Sequence, residues 1–412
     1  MSVPISAHRT SRLSPLAVFV AVVLLMDAVA IASVAVLISR GHIVGDWISF
    51  YTGGTLVRTG DAAHLYSASA QAAVQHELFG AGARTIGYPL PAFAAFAFAP
   101  LTRFSFLASY LMWMAVNVAL LAVLLRLSWR WLDDVPQALR AVFLVCSVSV
   151  TALVVLMNGQ VDLFVLAGCA GCYALVRRDR PFAGGAVLAI ALFKPHLVAA
   201  VVLLLLVKRQ WRALSGLAAA GIPLLIVPPL TVGPRLVVGQ LRPLFSPSDA
   251  TTGYGFDAPM MVNIRGTVTS LTNSSNEWLW LPLLAVIAAV AFHVAVRVWI
   301  ARPALHPQSW ALAFALPLLY SPHVHVQSMV LLIGAVGLYL VASQSSDRPI
   351  ADVKYVLYSL LALTTLWALS LWGVSMTALL VMAAYSLFAR RWPEPAGAVV
   401  SAPQRAELAL AS

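Results

Sequence analysis

Acidic side chains are scarce in this sequence, which has 15 Asp and Glu residues against 26 Lys and Arg residues in a chain of 412. Charged residues of both signs make up 10% of the chain, whereas soluble domains contain about a quarter. So few charges cannot cover a water-facing surface, and 61% of the side chains are hydrophobic. The composition excludes a soluble enzyme and a disordered protein, and it predicts an integral membrane protein. The net charge of +11 is spread thinly, so no nucleic-acid partner is expected.

Cysteine is also rare, since only Cys146, Cys169 and Cys172 are present and all lie in apolar runs. Cys169 and Cys172 have the spacing of a metal or redox pair, but no second pair accompanies them and packing is the favoured interpretation. The sequence lacks Walker-A, G-x-S-x-G, H-E-x-x-H and Asp-x-Asp motifs. These absences argue against ATP hydrolysis, hydrolase and zinc-protease chemistry. We expect no cofactor and no metal site, with a divalent metal kept as an alternative.

Long apolar runs predict an all-α, polytopic membrane protein with about twelve transmembrane helices. The runs are 16–38, 105–126, 140–157, 162–176, 182–194, 196–207, 213–230, 278–300, 309–320, 328–343, 354–371 and 373–389. The first run follows Arg9 and Arg12 as a signal sequence would, but its length favours an uncleaved span. Several runs are shorter than the roughly 20 residues of a straight span, so short helix pairs could enclose a cavity.

Basic loops predict the orientation of the chain, because Lys and Arg concentrate on the cytoplasmic side of membrane proteins. They include 177–180, 208–212, the stretch from Arg126 to Arg140 and the tail that begins at Arg390. An even number of crossings must separate the N-terminus from the 126–140 loop. The run 88–101 is therefore expected to be a re-entrant or juxtamembrane helix on the outer side.

This topology predicts the organisation of a multi-pass protein of the inner (plasma) membrane. Residues 1–13 and 393–412 form cytoplasmic tails, and residues 14–392 form the transmembrane domain. Two long extracytoplasmic loops, 39–104 and 231–277, are expected to pack together on the outer membrane face.

Polar residues collect on the predicted outer side, at the ends of spans or in the outer loops. They are Asp46, Tyr88, Asn158, Gln160, Asp162, Lys194, His196, Asn263, Arg265, His323 and His325. Ionisable groups at membrane depth are costly and usually mark a functional site. The cluster therefore predicts a polar cavity that opens to the outer leaflet.

Two of these residues have competing interpretations. Lys194 precedes Pro195 in an apolar run, so it is either an interfacial lysine whose ammonium snorkels to water or a ligand for a phosphate. Asp46 follows the first span, and it is either the cap of a loop helix or a general base with a pKa raised by desolvation.

The remaining polar residues fall into three short motifs. Turn chemistry explains Asn158-Gly159 but not Gln160 or Asp162, which follow it. His323 and His325 are too isolated from other ligand types to predict a metal site. Arg265, at the end of the second long loop, is suited to a phosphate.

The order of these motifs resembles glycosyltransferase family 87. The resemblance rests on Gly45-Asp46, Gly60-Asp61, Tyr88-Pro-Leu-Pro91, Asn158-Gly-Gln160, Phe193-Lys194-Pro195, Asn263-Ile-Arg265-Gly266 and Ser321-Pro322-His323, and it covers roughly residues 40–330. These are GT-C transferases of the membrane, which include polyprenol-phosphate-mannose-dependent α-mannosyltransferases of bacterial envelopes. The acidic pair common in GT-C first loops is here one residue, Asp46, and Gln327 stands where relatives often have an acid.

The resemblance implies a GT-C fold with an extracytoplasmic active site. The donor would be a polyprenyl-phosphate sugar carrying a hexose or pentose, mannose being favoured, and the acceptor an envelope glycolipid or glycan. Asp46 would be the catalytic base of an inverting transfer. Lys194, Arg265 and His323 would bind the donor phosphate, and the substrate-binding residues would be Tyr88, Asn158, Gln160, His196, Asn263 and His325.

Two other classes of function fit parts of the sequence. A transporter or flippase for the same lipid would need a similar number of spans, but it usually has two related halves and polar groups at mid-membrane, and neither is evident here. A structural assembly subunit would not need Lys194 and Arg265 in apolar surroundings. Membrane lipid surrounds the protein in all three cases.

Overall fold

The computed structural model describes residues 45–82, 85–133, 135, 137–148, 150–245, 261, 263–272, 276–321 and 323–343, with four single positions between 21 and 32. Every regular element in these ranges is helical, which confirms the all-α prediction for this part of the chain. The first eight α-helices are α1 Trp47–Arg58, α2 Ala68–Phe79, α3 Ala92–Phe98, α4 Phe106–Trp131, α5 Gln137–Val148, α6 Val150–Asn158, α7 Asp162–Arg177 and α8 Pro181–Leu188. The others are α9 Pro195–Val207, α10 Trp211–Val232, α11 Pro234–Phe245, α12 Ile264–Thr272, α13 Glu277–Ala301, α14 Pro307–Ala315, α15 Pro317–Tyr320 and α16 Val330–Ser343.

Three of these helices, α4, α10 and α13, are long and apolar enough to cross a membrane. The other apolar runs within the described residues form shorter helices, so the expected count of about twelve spans is not confirmed. The runs 354–371 and 373–389 lie outside the described residues, as does nearly all of 16–38. The run 88–101 contains helix α3 and a 3₁₀ turn, Ala99–Arg103.

Local sequence fixes where these helices begin. Ser105 caps α4 by accepting a hydrogen bond from the Ala108 amide, and Asn276 caps α13 by accepting one from Trp278. Proline occupies the first position of both α8 and α9, where its missing N–H costs nothing. Proline at Pro195 therefore begins a new helix, which divides the apolar stretch 182–207 into two short helices.

Close packing at glycines shows the relative directions of helices α7, α8 and α10. Gly184 of α8 lies against Cys172 near the end of α7, and Gly168 near the start of α7 lies against Ala191. These two helices are therefore antiparallel. Gly216 near the start of α10 lies against the Phe182 carbonyl near the start of α8, so the basic turns 177–180 and 208–212 lie at the same end of the bundle.

The opposite end of these helices holds the polar junctions 158–162 and 193–196. Lys208 adds a further link at the basic end by donating a hydrogen bond to the Arg302 carbonyl. The bundle therefore separates its basic turns from the predicted site residues Gln160, Lys194 and His196.

The helices of the two long loops contact each other. An aromatic cluster of Trp47, Phe50, Tyr88 and Phe98 forms the buried core of the first loop. Leu236 of α11 joins this cluster, and the Gln240 side chain accepts a hydrogen bond from the Ala92 amide. Helix α11 and the helices of the first loop therefore form one loop layer, which meets the α6–α7 turn where the Asp46 amide donates to the Asn158 carbonyl.

The separation of the two ends gives a prediction about membrane sidedness. Glu77 is exposed in α2 and Arg178 is exposed in the basic turn. We expect Glu77→Cys to react with a membrane-impermeant thiol reagent in intact cells and Arg178→Cys to react only after permeabilisation, because the positive-inside rule predicts that the basic end faces the cytoplasm. The wild-type chain gives the background of the native cysteines, and the reverse pattern of labelling would contradict the orientation.

Candidate functional site

Asp46 lies where the start of α1 meets the turn between α6 and α7. The Asp46 amide donates a 3.0 Å hydrogen bond to the Asn158 carbonyl. Gly45 has φ +110°, and a Cβ there would stand 2.8 Å from the Asn158 Cα. Gly159 has φ +65°, a left-handed value suited to glycine in the tight turn. The two glycines therefore bring Asp46 against a turn more than 100 residues away in sequence.

The Asp46 carboxylate does not cap α1, although Asp46 occupies the N-cap position. No cap hydrogen bond from this side chain is present, and the carboxylate instead accepts a hydrogen bond from the Gln160 amide nitrogen. Burial raises the pKa of Asp46, and the hydrogen bond from Gln160 and the charge of Lys194 partly offset this rise. The Asp46 side chain therefore does not cap α1, and it is a buried carboxylate held by Gln160.

Lys194 forms a buried ion pair with Asp162. The Lys194 Nζ lies 2.7 Å from Asp162 Oδ2, and the two side chains are 12% and 1% exposed. Ser328 donates a 2.8 Å hydrogen bond to the other carboxylate oxygen of Asp162. A snorkelling lysine would extend to water, so that interpretation does not fit. The anionic partner of Lys194 in the unliganded chain is a carboxylate.

Arg265 occupies the first turn of α12 and is 2% exposed. Its guanidinium lies 4.9 Å from the ring centre of Trp280, within the range of a cation–π contact. It also donates to His323 Nδ1 at 3.3 Å. Asn263 supports this arrangement by accepting from the Gly266 amide at the start of α12 and donating to the Ser321 carbonyl at 2.8 Å.

His323 is a neutral imidazole in this setting. Burial lowers the pKa of His323 to about 3, and the positive charge of Arg265 contributes to the shift. A guanidinium only donates, so Nδ1 accepts and the proton resides on Nε2. His323 can therefore offer a hydrogen bond to an anion, whereas a positive charge must come from Arg265 or Lys194.

The two groups of polar residues adjoin through His196. Its ring lies within electrostatic range of Lys194 and Asp162, and also of His323. Tyr320 holds the start of α9 by donating a 2.6 Å hydrogen bond to the His196 carbonyl. The structure therefore brings together residues from the first loop, the α6–α7 turn, the α8–α9 junction, α12 and the 321–325 segment.

Other predicted site residues have structural contacts. Tyr88 is fully buried in the aromatic cluster, where its hydroxyl donates to the Pro91 carbonyl at 3.3 Å. Asn158 contributes its backbone carbonyl to Asp46, and both polar groups of the Asn263 side chain hold α12 and Ser321 in place. His325 is within electrostatic range of His323. The hydrogen bonds of Tyr88, Asn158 and Asn263 are thus made with neighbouring backbone groups.

Ser328 and Trp280 contact site residues, but nothing in the sequence distinguishes them. Asp162 belonged to the polar cluster predicted from the sequence, but no catalytic or binding role was assigned to it there. Within the described ranges no group of three or more His, Cys, Asp or Glu side chains could hold a metal ion. Cys169 and Cys172 pack in the main apolar core.

Comparison with known proteins gives one result for this arrangement. The sequence pattern of Glycosyltransferase family 87 matches residues 88–322, which is more than half of the chain. The chain belongs to glycosyltransferase family 87. No curated protein and no solved structure matches it.

Family membership and the apolar helices together indicate a membrane glycosyltransferase. The matched range contains the Asn158 turn, Lys194, Arg265 and the start of the 321–325 segment. Asp46 lies before this range, so its role rests on its contact with Gln160 and on its environment.

The close approach of Gly45 to Asn158 gives a second prediction. In Gly45→Ala the new methyl group would clash with the Asn158 backbone, and the alanine would have an unfavourable positive φ. We therefore expect Asp46 to move away from Gln160 and enzymatic activity to be lost. Gly80→Ala is the matched control, because Gly80 also has positive φ but its Cβ would meet nothing within 4 Å. The control should lose only about 1 kcal/mol of unfolding free energy. Equal activity in both purified variants would contradict this packing.

Proposed function

We propose that this protein is an inverting glycosyltransferase of the inner membrane that uses a polyprenyl-phosphate sugar as donor. The sugar is a hexose or pentose, with mannose favoured, and the acceptor is an envelope glycolipid or glycan. The reaction takes place on the extracytoplasmic face. The observation that carries the proposal is the desolvated carboxylate of Asp46 within electrostatic range of the buried Lys194. A second buried cation, Arg265, is linked to them through His323 and His196.

The reaction is a direct displacement at the anomeric carbon. Asp46 accepts the proton of the acceptor hydroxyl, and the acceptor oxygen forms a bond to the anomeric carbon. The bond from that carbon to the phosphate oxygen breaks, and its electron pair leaves with the phosphate. Attack from the face opposite the leaving group inverts the configuration. The products are a glycosylated acceptor and polyprenyl phosphate, and Asp46 later returns its proton to solvent.

The cations suit the charge that develops in this step. The donor phosphate is a diester with one negative charge, and the leaving group gains further charge as the bond breaks. Lys194 and Arg265 supply positive charge in surroundings that exclude most water, where such contacts are stronger than in bulk solvent. His323 adds a neutral hydrogen bond from Nε2, and the His196 ring is within electrostatic range of both Lys194 and His323.

The apolar helices around the site suit a lipid-linked donor. The polyprenyl tail remains among lipid-facing side chains while its phosphate reaches the N-terminal ends of α7 and α9. Protein incubated with radiolabelled polyprenyl-phosphate mannose and envelope lipid should transfer label to a new product. A transporter would move the donor across vesicle membranes and leave it chemically unchanged, and that outcome would overturn the proposal.

The base assignment predicts a large loss of turnover in Asp46→Asn. The amide keeps the size of the side chain but cannot accept a proton, so kcat should fall roughly a hundred- to ten-thousand-fold. Asp61→Asn is the matched control, because Asp61 is a half-exposed carboxylate of the same loop paired with His64. Turnover of Asp46→Asn within a few-fold of the Asp61 variant would remove Asp46 from the reaction.

The phosphate role of Lys194 predicts weaker donor binding in Lys194→Met. One charge-assisted contact is worth about 1.5–3 kcal/mol, so the Kd for polyprenyl phosphate should rise between about tenfold and a hundredfold. Lys208→Met is the control, because Lys208 is partly buried at the basic end of the bundle. Binding can be measured by microscale thermophoresis in detergent. Equal affinities of the two variants would exclude a phosphate contact from Lys194.

A further inference from the structure

Asp162 is a buried carboxylate whose two oxygens both accept hydrogen bonds. It begins α7, where the positive end of the helix dipole favours a carboxylate. One oxygen accepts from Lys194 at 2.7 Å and the other accepts from Ser328 at 2.8 Å. The side chain is 1% exposed, so water cannot replace either partner. Three separate elements therefore fix one carboxylate.

The charge of Asp162 also acts on the proposed base. Asp162 and Lys194 are the charged groups that influence Asp46, and they act in opposite directions: the carboxylate raises the pKa of Asp46 and the ammonium lowers it. Lys194 thus has two carboxylates within electrostatic range but pairs with only one. Without Asp162, Asp46 would be the remaining anion near the lysine.

We infer that Asp162 is a positioning residue that holds the Lys194 ammonium away from Asp46, so that the base remains free for the acceptor while the cation waits for the donor phosphate. This inference rests on the proposed function. It concerns Asp162 and Ser328, which lie outside the sequence motifs that carry the family resemblance. Ser328 orients Asp162 through its second oxygen. Asp162 itself contacts neither substrate nor the reacting atoms.

A donor phosphate then joins the same network from the side of Lys194. The ammonium has three protons, of which Asp162 takes one, so the lysine can contact the phosphate without leaving its carboxylate. Asp162 thereby balances the charge of Lys194 in apolar surroundings.

The pH dependence of kcat/KM separates this role from a purely structural one. In Asp162→Asn the charge that raises the pKa of Asp46 is lost and Lys194 can turn to Asp46, so the acid limb should move to lower pH by roughly one unit. A weaker base also lowers kcat. Asp162→Glu keeps the charge and should retain the acid limb of the wild type. An acid limb that stays in place in Asp162→Asn would overturn the inference.

A second measurement, thermal unfolding, does not depend on enzymatic activity. Thermal unfolding of Asp162→Asn, Lys194→Met and the double variant forms a double-mutant cycle. Each single change leaves one buried charge without its partner, so the double variant should unfold at a higher temperature than Lys194→Met alone. Additive shifts in Tm would show that the ion pair does not exist in solution and would overturn the inference.

The two tests fail separately from the proposed function. A wild-type protein that transfers no sugar would contradict the proposed function, and the unfolding cycle would still test the ion pair. An active enzyme with an unchanged acid limb in Asp162→Asn would leave the proposed function standing and contradict only the role of Asp162.

Discussion

The site depends on the cost of placing a charged lysine among apolar helices. An ammonium in such surroundings is tolerated only with an anionic partner or water, and the chain supplies Asp162. This requirement brings the start of α7 to the junction of α8 and α9 and joins both to Ser328. The removal of one partner would leave a buried charge unpaired, at a cost of roughly 3–5 kcal/mol. The ion pair therefore both holds these segments together and balances the charge of Lys194.

Backbone geometry determines how Asp46 reaches this pair. Gly45 and Gly159 permit an approach that side chains would block, and Gln160 binds the carboxylate once it is there. The same turn starts α7, so Gln160 and Asp162 emerge two residues apart and act on two different partners. One short turn thus positions both the proposed base and the counter-ion of the proposed phosphate ligand.

The sequence predicted the parts of this arrangement that depend on local patterns. Apolar runs located α4, α7, α10 and α13, and Pro195 indicated the break beside Lys194. The outer-side grouping of Asp46, Gln160, Lys194, Arg265 and His323 followed from topology, and the structure brings these residues into one neighbourhood. The number of spans was harder to predict, because short apolar helices satisfy the same hydropathy pattern whether or not they cross.

The sequence could not predict which side chains contact each other across long sequence separations. Gln160 meets Asp46 across 114 residues and Ser328 meets Asp162 across 166, and no local pattern encodes such contacts. The resemblance to the family implied that Tyr88 and Asn263 bind substrate. Their hydrogen bonds hold the backbone of the loop layer and of α12, and only packing reveals these contacts.

Lys194 and Arg265 are proposed to face one anion-binding site beside Asp46. A cryo-electron microscopy structure of the protein with polyprenyl phosphate would locate this site. We expect a phosphate within hydrogen-bond distance of the Lys194 ammonium, with the Arg265 guanidinium in the same site and Asp162 still paired to Lys194. A phosphate at the basic turns 177–180 and 208–212, with Lys194 contacting Asp162 alone, would contradict it.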